Sequence, residues 1–251
     1  GRVLSPPVFE RGSLLVGADG TVSIARVGLR HTEIELPDGQ RLRPTELWNR
    51  AAGRHGPDVP SIAVVGHVIV AVGRSLPVPL NGFVVALPEP HAAMPAVGES
   101  VGYPQIHGPT GPVHAGLAGG PLLLRGGQPL LEMREEDFWG SAPPVTFSQD
   151  ETGDRNLLPR LAAGLCPDGT LVLAAIDGRN FERALGMTLG GVARLLAALG
   201  CEVATNLDGG SSKRMVVEGR ARDLASTEIV SEGVASVAVR PVHTALLVHA
   251  G

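Results

Sequence analysis

Two short apolar runs with a helical stretch between them constrain this chain more than any other feature. Leu171 to Ile176 is uninterrupted and ends at Asp177-Gly178-Arg179, while Val203-Ala204-Thr205-Asn206-Leu207 ends at Asp208-Gly209-Gly210-Ser211-Ser212. Between them Thr188 is a good N-cap, and Leu189, Val192, Leu195, Leu196 and Leu199 recur on one helical face before Gly200 stops the run. Strand, helix and strand in that order make a βαβ unit, whose crossover returns the second strand parallel to the first. Asp177 and Asp208, each just past a strand, are therefore expected at one edge of a sheet, the carboxyl edge where open α/β sheets bind ligands.

The flanking sequence extends this frame. Pro167-Asp168-Gly169-Thr170 is a turn that pairs Leu161 to Cys166 with Leu171 to Ile176 as a hairpin. Met215-Val216-Val217 is too short for a helix before the Glu218-Gly219 turn and reads as a strand. Gly209 and Gly210 then form a tight loop between strands, able to gather backbone N–H groups into an anion-binding nest beside the hydroxyls of Ser211 and Ser212.

Upstream, Thr32 to Leu36 and Arg41 to Arg43 read as a hairpin about Pro37-Asp38-Gly39. Ile62 to Val65, Val68 to Val72 and Phe83 to Leu87 read as buried strands. Gly108-Pro109-Thr110-Gly111-Pro112 is expected to be a loop between a β-rich N-terminal lobe, residues 1–113, and a motif-bearing core, residues 114–251, of a single domain. Residues 132 to 159 read as a long loop. In it Glu132, Glu135, Glu136 and Asp137 form a solvated charge run, and Phe138 and Trp139 either stack on a sugar ring or anchor the loop.

Composition narrows the function classes. Hydrophobic residues at 43% with charged residues at 18% make a globular chain, and 34 glycines with 21 prolines favour short strands and many turns. A net charge of −4 gives no general attraction to nucleic acid. Lys213 is the only lysine, so a phosphate would be met mainly by guanidinium groups. No 18-residue apolar run is present, so no transmembrane span is expected, and Gly1-Arg2-Val3-Leu4-Ser5-Pro6-Pro7 lacks the regions of a signal peptide. The histidines show no metal-ligand spacing, so no residue is assigned to a metal and no cofactor is expected, while a metal requirement is left open. Cys166 and Cys201 are expected as two buried free thiols, with a single disulfide the other arrangement. The oligomeric state is left open.

Two carboxylates, guanidinium groups and an amide nest at one sheet edge suit an electronegative substrate with a centre open to attack. A phosphate leaving group departs as a stable anion, so preorganised N–H donors and arginines matter more than a strong general acid. One carboxylate then suffices to activate water or to stabilise an oxocarbenium-like centre. No Gly-x-Ser-x-Gly elbow supports Ser211 or Ser212 as a nucleophile, for which His107, His114 and His243 are the nearby bases by topology.

Asn206-Leu207-Asp208-Gly209-Gly210-Ser211-Ser212, with Gly186-Met187-Thr188-Leu189, Asp177-Gly178-Arg179, Pro159-Arg160, Gly119-Gly120-Pro121 and Arg240-Pro241-Val242, resembles the phosphodiester glycosidase family. The resemblance covers about residues 115 to 248 and touches the N-terminal lobe only at Arg11-Gly12 and Asn81-Gly82. It implies an α+β fold with a mixed central sheet, flanking helices and a β-rich N-terminal lobe. It also implies a hydrolase acting on a glycan phosphodiester outside the cytoplasm. On it, Asp208 and Asp177 are the catalytic carboxylates, and Arg160, Arg179, Asn206, Gly209, Gly210, Ser211, Ser212, Thr188 and Arg240 bind substrate phosphate. The alternative is a non-catalytic domain binding phosphorylated glycan or cell-wall polymer. Three departures from the family stand out. Leu161 replaces the usual threonine after Arg160, the glycine run is two rather than three, and the strand that usually opens the domain is missing before Gly1, as in a truncated or processed chain.

Overall fold

The structure is a computed structural model, and it describes residues 10–44, 55–80, 82–88, 94–131, 133, 135–136, 138, 155–180, 182–231, 234–237, 241–242 and 244–249. The chain divides into two compact units. One is Gly1–Arg11, Leu15–Gly116 and Asp137–Val145; the other is Gly12–Leu14, Leu117–Glu136 and Thr146–Gly251. Strands β1 (Arg11–Gly17) and β9 (Gly111–Ala118) contribute residues to both.

In the first unit β2 is Val22–Val27, β3 Thr32–Glu35, β4 Arg41–Leu42, β5 Ser61–Val65, β6 Val68–Gly73, β7 Gly82–Ala86 and β8 Gln105–Gly108. They form a sheet in the order β2-β1-β9-β8-β3-β4 and a second in the order β6-β5-β7. The core lies where these strands are apolar, with Ile34, Ile62, Val64, Ile69, Phe83 and Val85 buried together. The β3–β4 hairpin closes through hydrogen bonds between Leu36 and Gln40 and between Gly39 and Leu36, about the Pro-Asp-Gly turn. Residues 108–112 depart from expectation: Gly108 pairs with Gly111, so this segment is the tight turn of the β8–β9 hairpin rather than a loop between lobes.

The second unit holds β10 (Leu122–Arg125), β11 (Gln128–Pro129), β12 (Arg160–Leu165), β13 (Leu171–Ile176), α1 (Leu189–Ala198) and β14 (Val203–Leu207). Two hairpins follow, β15 (Val216–Val217) with β16 (Arg220–Ala221) and β17 (Thr227–Ser231) with β18 (Val234–Val237). The five-stranded sheet runs β11-β10-β14-β12-β13, and each of its pairings is antiparallel. The molecule is thus β-rich, and this sheet is not mixed. Flanking helices are also not found: among the described residues α1 is the one α-helix.

α1 is bounded as its sequence requires. The Thr188 hydroxyl accepts from the Gly191 N–H at 3.0 Å. At the other end Gly200 (φ 85°) donates to Ala197 O and Cys201 to Leu196 O, a Schellman stop. The helix packs on β10, β12 and β14 through Leu189, Val192, Ala193 and Leu196. Its buried stripe is rotated from the expected one, since Leu199 caps the helix and is 53% exposed.

The expected charge run is corrected at one position: Glu135 is exposed, Glu132 and Asp137 lie outside the described residues, and Glu136 differs. Glu136 is fully buried, and its carboxylate accepts from the N–H groups of Gly12 at 2.8 Å and Leu122 at 2.6 Å. A carboxylate held by backbone donors repays the cost of leaving water, which a bare charge would not.

Candidate functional site

The sheet of the second unit brings the sequence motifs to one end. β13 and β14 both run antiparallel to β12, so they share a direction with β12 between them. Arg160 opens β12 opposite Ile176, and Leu161 faces Leu207, so Asp177 and Asp208 emerge on either side of the Pro159-Arg160 step. Two inter-strand spacings, about 10 Å, separate the acidic strands.

Glycines make this convergence possible. A Cβ on Gly178 would lie 2.6 Å from Pro159 N and 2.7 Å from Gly186 Cα, and one on Gly209 would lie 2.5 Å from Pro159 O. Gly186, at φ 113°, sits as close to the Leu158 backbone. Main chain therefore packs directly on main chain around residues 158–160, and any side chain would force it apart. The Gly209-Gly210 loop is pinned there by the Gly210 N–H, which donates to Pro159 O at 2.9 Å.

That pinning limits the expected nest. Ser212 N donates to Gly209 O and Lys213 N to Gly210 O, so three N–H groups of the loop already serve the chain's own carbonyls. The N–H groups of Gly209 and Ser211 have no acceptor among the described residues. The Ser211 hydroxyl is likewise without a partner there.

The two aspartates differ. Asp177 Oδ1 accepts from Lys213 Nζ at 2.6 Å and from the Leu224 N–H at 2.8 Å, while its Oδ2 has no partner among the described residues. Asp208 is exposed and pairs with no described residue. The two arginines differ in the same way. Arg160 is 8% exposed, with Nε on Met187 O and Nη2 on Asn156 O, each at 3.1 Å. Arg179, held at φ 48°, places Nη1 within 3.9 Å of where a Gly210 Cβ would be, and its guanidinium bonds to no described residue.

Asn206 and Thr188 have structural duties. Asn206 Nδ2 donates to Gly120 O at 3.0 Å and Leu207 O at 2.9 Å, and its Oδ1 is buried without a donor among the described residues. Thr188 caps α1. Arg240, Trp139 and His243 fall outside the described residues. Phe138 lies in the first unit with Arg11 Cζ 3.9 Å above its ring, where His114 is exposed and His107 is 3.1 Å from Glu33.

Lys213 is what the residue-by-residue reading missed. Its side chain is wholly buried, and its ammonium donates to Asp177 Oδ1, to Asp223 Oδ2 at 2.8 Å and to Leu224 O at 3.1 Å. Three donors meet three acceptors, the condition under which a buried ammonium is tolerated. The Asp223 side chain is 2% exposed and also accepts from the Met215 N–H at 2.8 Å. Burial works against its charge, but the bonds from Lys213 and Met215, with the charges of Lys213 and Arg214, hold its carboxyl below the ordinary 3.8. The one available signal was that the chain's only lysine directly follows the loop.

A family model described as phosphodiester glycosidase matches residues 89–249, a span that contains every element of this cluster. The chain belongs to the phosphodiester glycosidase family. Among curated relatives, the SPbeta prophage-derived uncharacterized protein YomE of Bacillus subtilis is 44% identical over 78 residues, 31% of this chain and 12% of that protein. Among solved structures, a hypothetical protein from Synechocystis has a TM-score of 0.52 at 23% identity, over 87% of this chain and 43% of its own, which shows a shared fold. The zebrafish N-acetylglucosamine-1-phosphodiester alpha-N-acetylglucosaminidase catalytic domain, auto-inhibited by its pro-peptide, gives 0.35 at 19% identity over 88% of this chain and 77% of its own. This phosphodiester glycosidase domain thus spans less than half the length of the first relatives it matches. No helix among its described residues is long and apolar enough to cross a membrane.

Proposed function

We propose that this chain hydrolyses the glycosidic bond of a sugar-1-phosphodiester. The observation that carries the reading is the pair Asp208 and Arg179, both without partners among the described residues, in a cluster where Lys213, Asp223 and Arg160 are committed to the chain's own groups. Asp208 takes the proton from a water as its oxygen attacks the anomeric carbon. The carbon–oxygen bond to phosphate breaks, and the phosphomonoester leaves with the electron pair. Arg179, the Ser211 hydroxyl and the N–H groups of Gly209 and Ser211 receive the phosphate charge.

Asp177, through its uncommitted Oδ2, adds negative charge near the oxocarbenium-like centre. A spacing of two strands suits attack by water better than a covalent intermediate, which needs carboxyl groups about 5 Å apart. Arg160 serves this site as a clamp on Met187 O and Asn156 O, and Thr188 and Asn206 as supports, rather than as phosphate ligands.

The test is sugar release from a panel of sugar-1-phosphodiesters in oxygen-18 water. Label in the sugar is expected; label in the phosphate would mean cleavage of the P–O bond. Tight binding of the panel with no release would instead make the chain a binding domain for phosphorylated glycan.

A further inference from the structure

Cys166 and Cys201 lie at the end of the five-stranded sheet that the proposed reaction does not use. Cys166 follows β12 in the turn to β13, closed by hydrogen bonds between Cys166 and Thr170 and between Gly169 and Cys166. Cys201 stands between α1 and β14, fixed by its N–H on Leu196 O and by the Glu202 N–H on Leu165 O at 2.9 Å. Their sulfurs are 3.9 Å apart, as thiols. Gly164 makes the room, since a Cβ there would come within 2.5 Å of the Cys201 sulfur. Cys201 is 2% exposed, whereas Cys166 is only partly buried.

We propose that these residues are a dithiol site that a small-molecule disulfide, such as glutathione disulfide, converts to an intramolecular Cys166–Cys201 bond. The sulfurs need to close by less than about 2 Å to reach a disulfide length, and both backbones are already held in place. The Cys166 thiolate attacks one sulfur of the reagent, giving a mixed disulfide and one glutathione thiol. Cys201 then attacks the Cys166 sulfur and releases the second, so two protein thiols lose two electrons and two protons while the reagent becomes two thiols.

Exposure sets that order, because the buried Cys201 is poorly placed to meet a reagent from solvent. Burial, with the adjacent Cys166, pushes the Cys201 thiol up to about 11. In the mixed disulfide the burial of Cys201 remains and still disfavours its thiolate, so the resolving step is slow near neutral pH and speeds as pH rises.

The new bond would tie the ends of a segment containing β13, Arg179, Thr188 and α1. It would sit the length of β12, about 20 Å, from Asp177 and Asp208. It therefore tightens the unit by constraining the unfolded chain and leaves the site chemistry alone.

The experiment treats the full chain with glutathione disulfide at about pH 7 and pH 9, followed by intact mass and non-reducing peptide mapping. Expected is a transient adduct on Cys166, then loss of about 2 Da relative to the dithiol with a linked Cys166–Cys201 peptide, and a Tm raised by about 5–10 °C. Cys201→Ala should stop at the adduct, and Cys166→Ser, at the more exposed position, should form none. Two titratable thiols at equilibrium in the wild type, or an adduct as persistent as in Cys201→Ala, would overturn the site. Reaction of Cys201 at the wild-type rate in Cys166→Ser would overturn the order.

Discussion

The inner and outer halves of the site differ in how much of their bonding capacity is already spent. Inside, Lys213 and Arg160 are buried, the Asp223 side chain is nearly so, and the hydrogen bonds and ion pairs described for them run to one another, to Asp177, to Arg214 and to main-chain groups. Outside, Asp208, Arg179 and Ser211 pair with no described residue. Groups of the same chemical type thus stand in both halves, a carboxylate and a guanidinium in each. The difference teaches that residue type alone does not assign a role at this sheet end. A saturated group fixes shape, because turning it to a ligand would orphan its present partners. An unsatisfied group beside that shape can give all its capacity to substrate. Variants of the inner half should therefore lose fold and activity together, and variants of the outer half activity alone.

The largest effect is expected inside. Lys213→Met leaves the Asp177 and Asp223 carboxylates facing each other without their cation, and should cost about 3–5 kcal/mol by urea unfolding. A loss under about 1 kcal/mol would mean that the ammonium is not what holds the inner half. Asp208→Asn comes next and should behave in the opposite way. It should lower kcat/KM by about 10²–10⁴-fold with Tm unchanged. If it instead unfolds the protein at full specific activity, the two halves have been assigned the wrong way round. Arg179→Met should raise KM or lower kcat about 10–100-fold, as loss of one charge-assisted contact to phosphate requires. Arg160→Met should be visible first in the unfolding curve.

The parts of this arrangement that sequence revealed are those whose cause is local. The hairpin about Pro167-Asp168-Gly169, the Thr188 cap and the Gly200 stop each depend on residues within a few positions, and all three are found. Strand order does not share that property: nothing in Val203–Leu207 says that it pairs with β12 and β10 rather than with β13, and so the sheet is antiparallel rather than mixed. Lys213 and Glu136 were illegible for the same reason. Their partners lie far along the chain, at Asp177 for one and Gly12 for the other, and a buried ion looks like a surface charge until its partners are known. The glycines carried a mixed signal. Gly209 and Gly210 suggested an amide nest, but the absent Cβ of Gly209 serves main-chain packing on Pro159, and only part of the loop's N–H set remains unspent.

A smaller effect tests the inner half through pH. Because the Asp223 carboxyl is held below 3.8 in the folded chain, it binds protons more weakly there than when unfolded. Its stabilisation is therefore complete above about pH 5 and is lost as pH falls through the unfolded value and then the folded one. The difference in urea midpoint between wild type and Asp223→Asn should hold from about pH 5 to 8 and shrink below about pH 4. A difference that persists undiminished at about pH 2 would remove this carboxylate's charge from the account.

Thr188 gives the smallest effect and the sharpest division. Its hydroxyl accepts from Gly191 N, so as a cap it belongs to the inner half although the sequence motif groups it with phosphate ligands. Thr188→Ala should cost about 1 kcal/mol of stability, and Thr188→Ser should restore it, since either hydroxyl can accept the same N–H. The hydroxyl hydrogen is not used in that bond, and this is what makes the variant informative. If Thr188→Ala leaves the unfolding midpoint unmoved but lowers kcat/KM more than about tenfold, the hydroxyl is donating to substrate. The boundary between the halves would then run through the first turn of α1 rather than outside it.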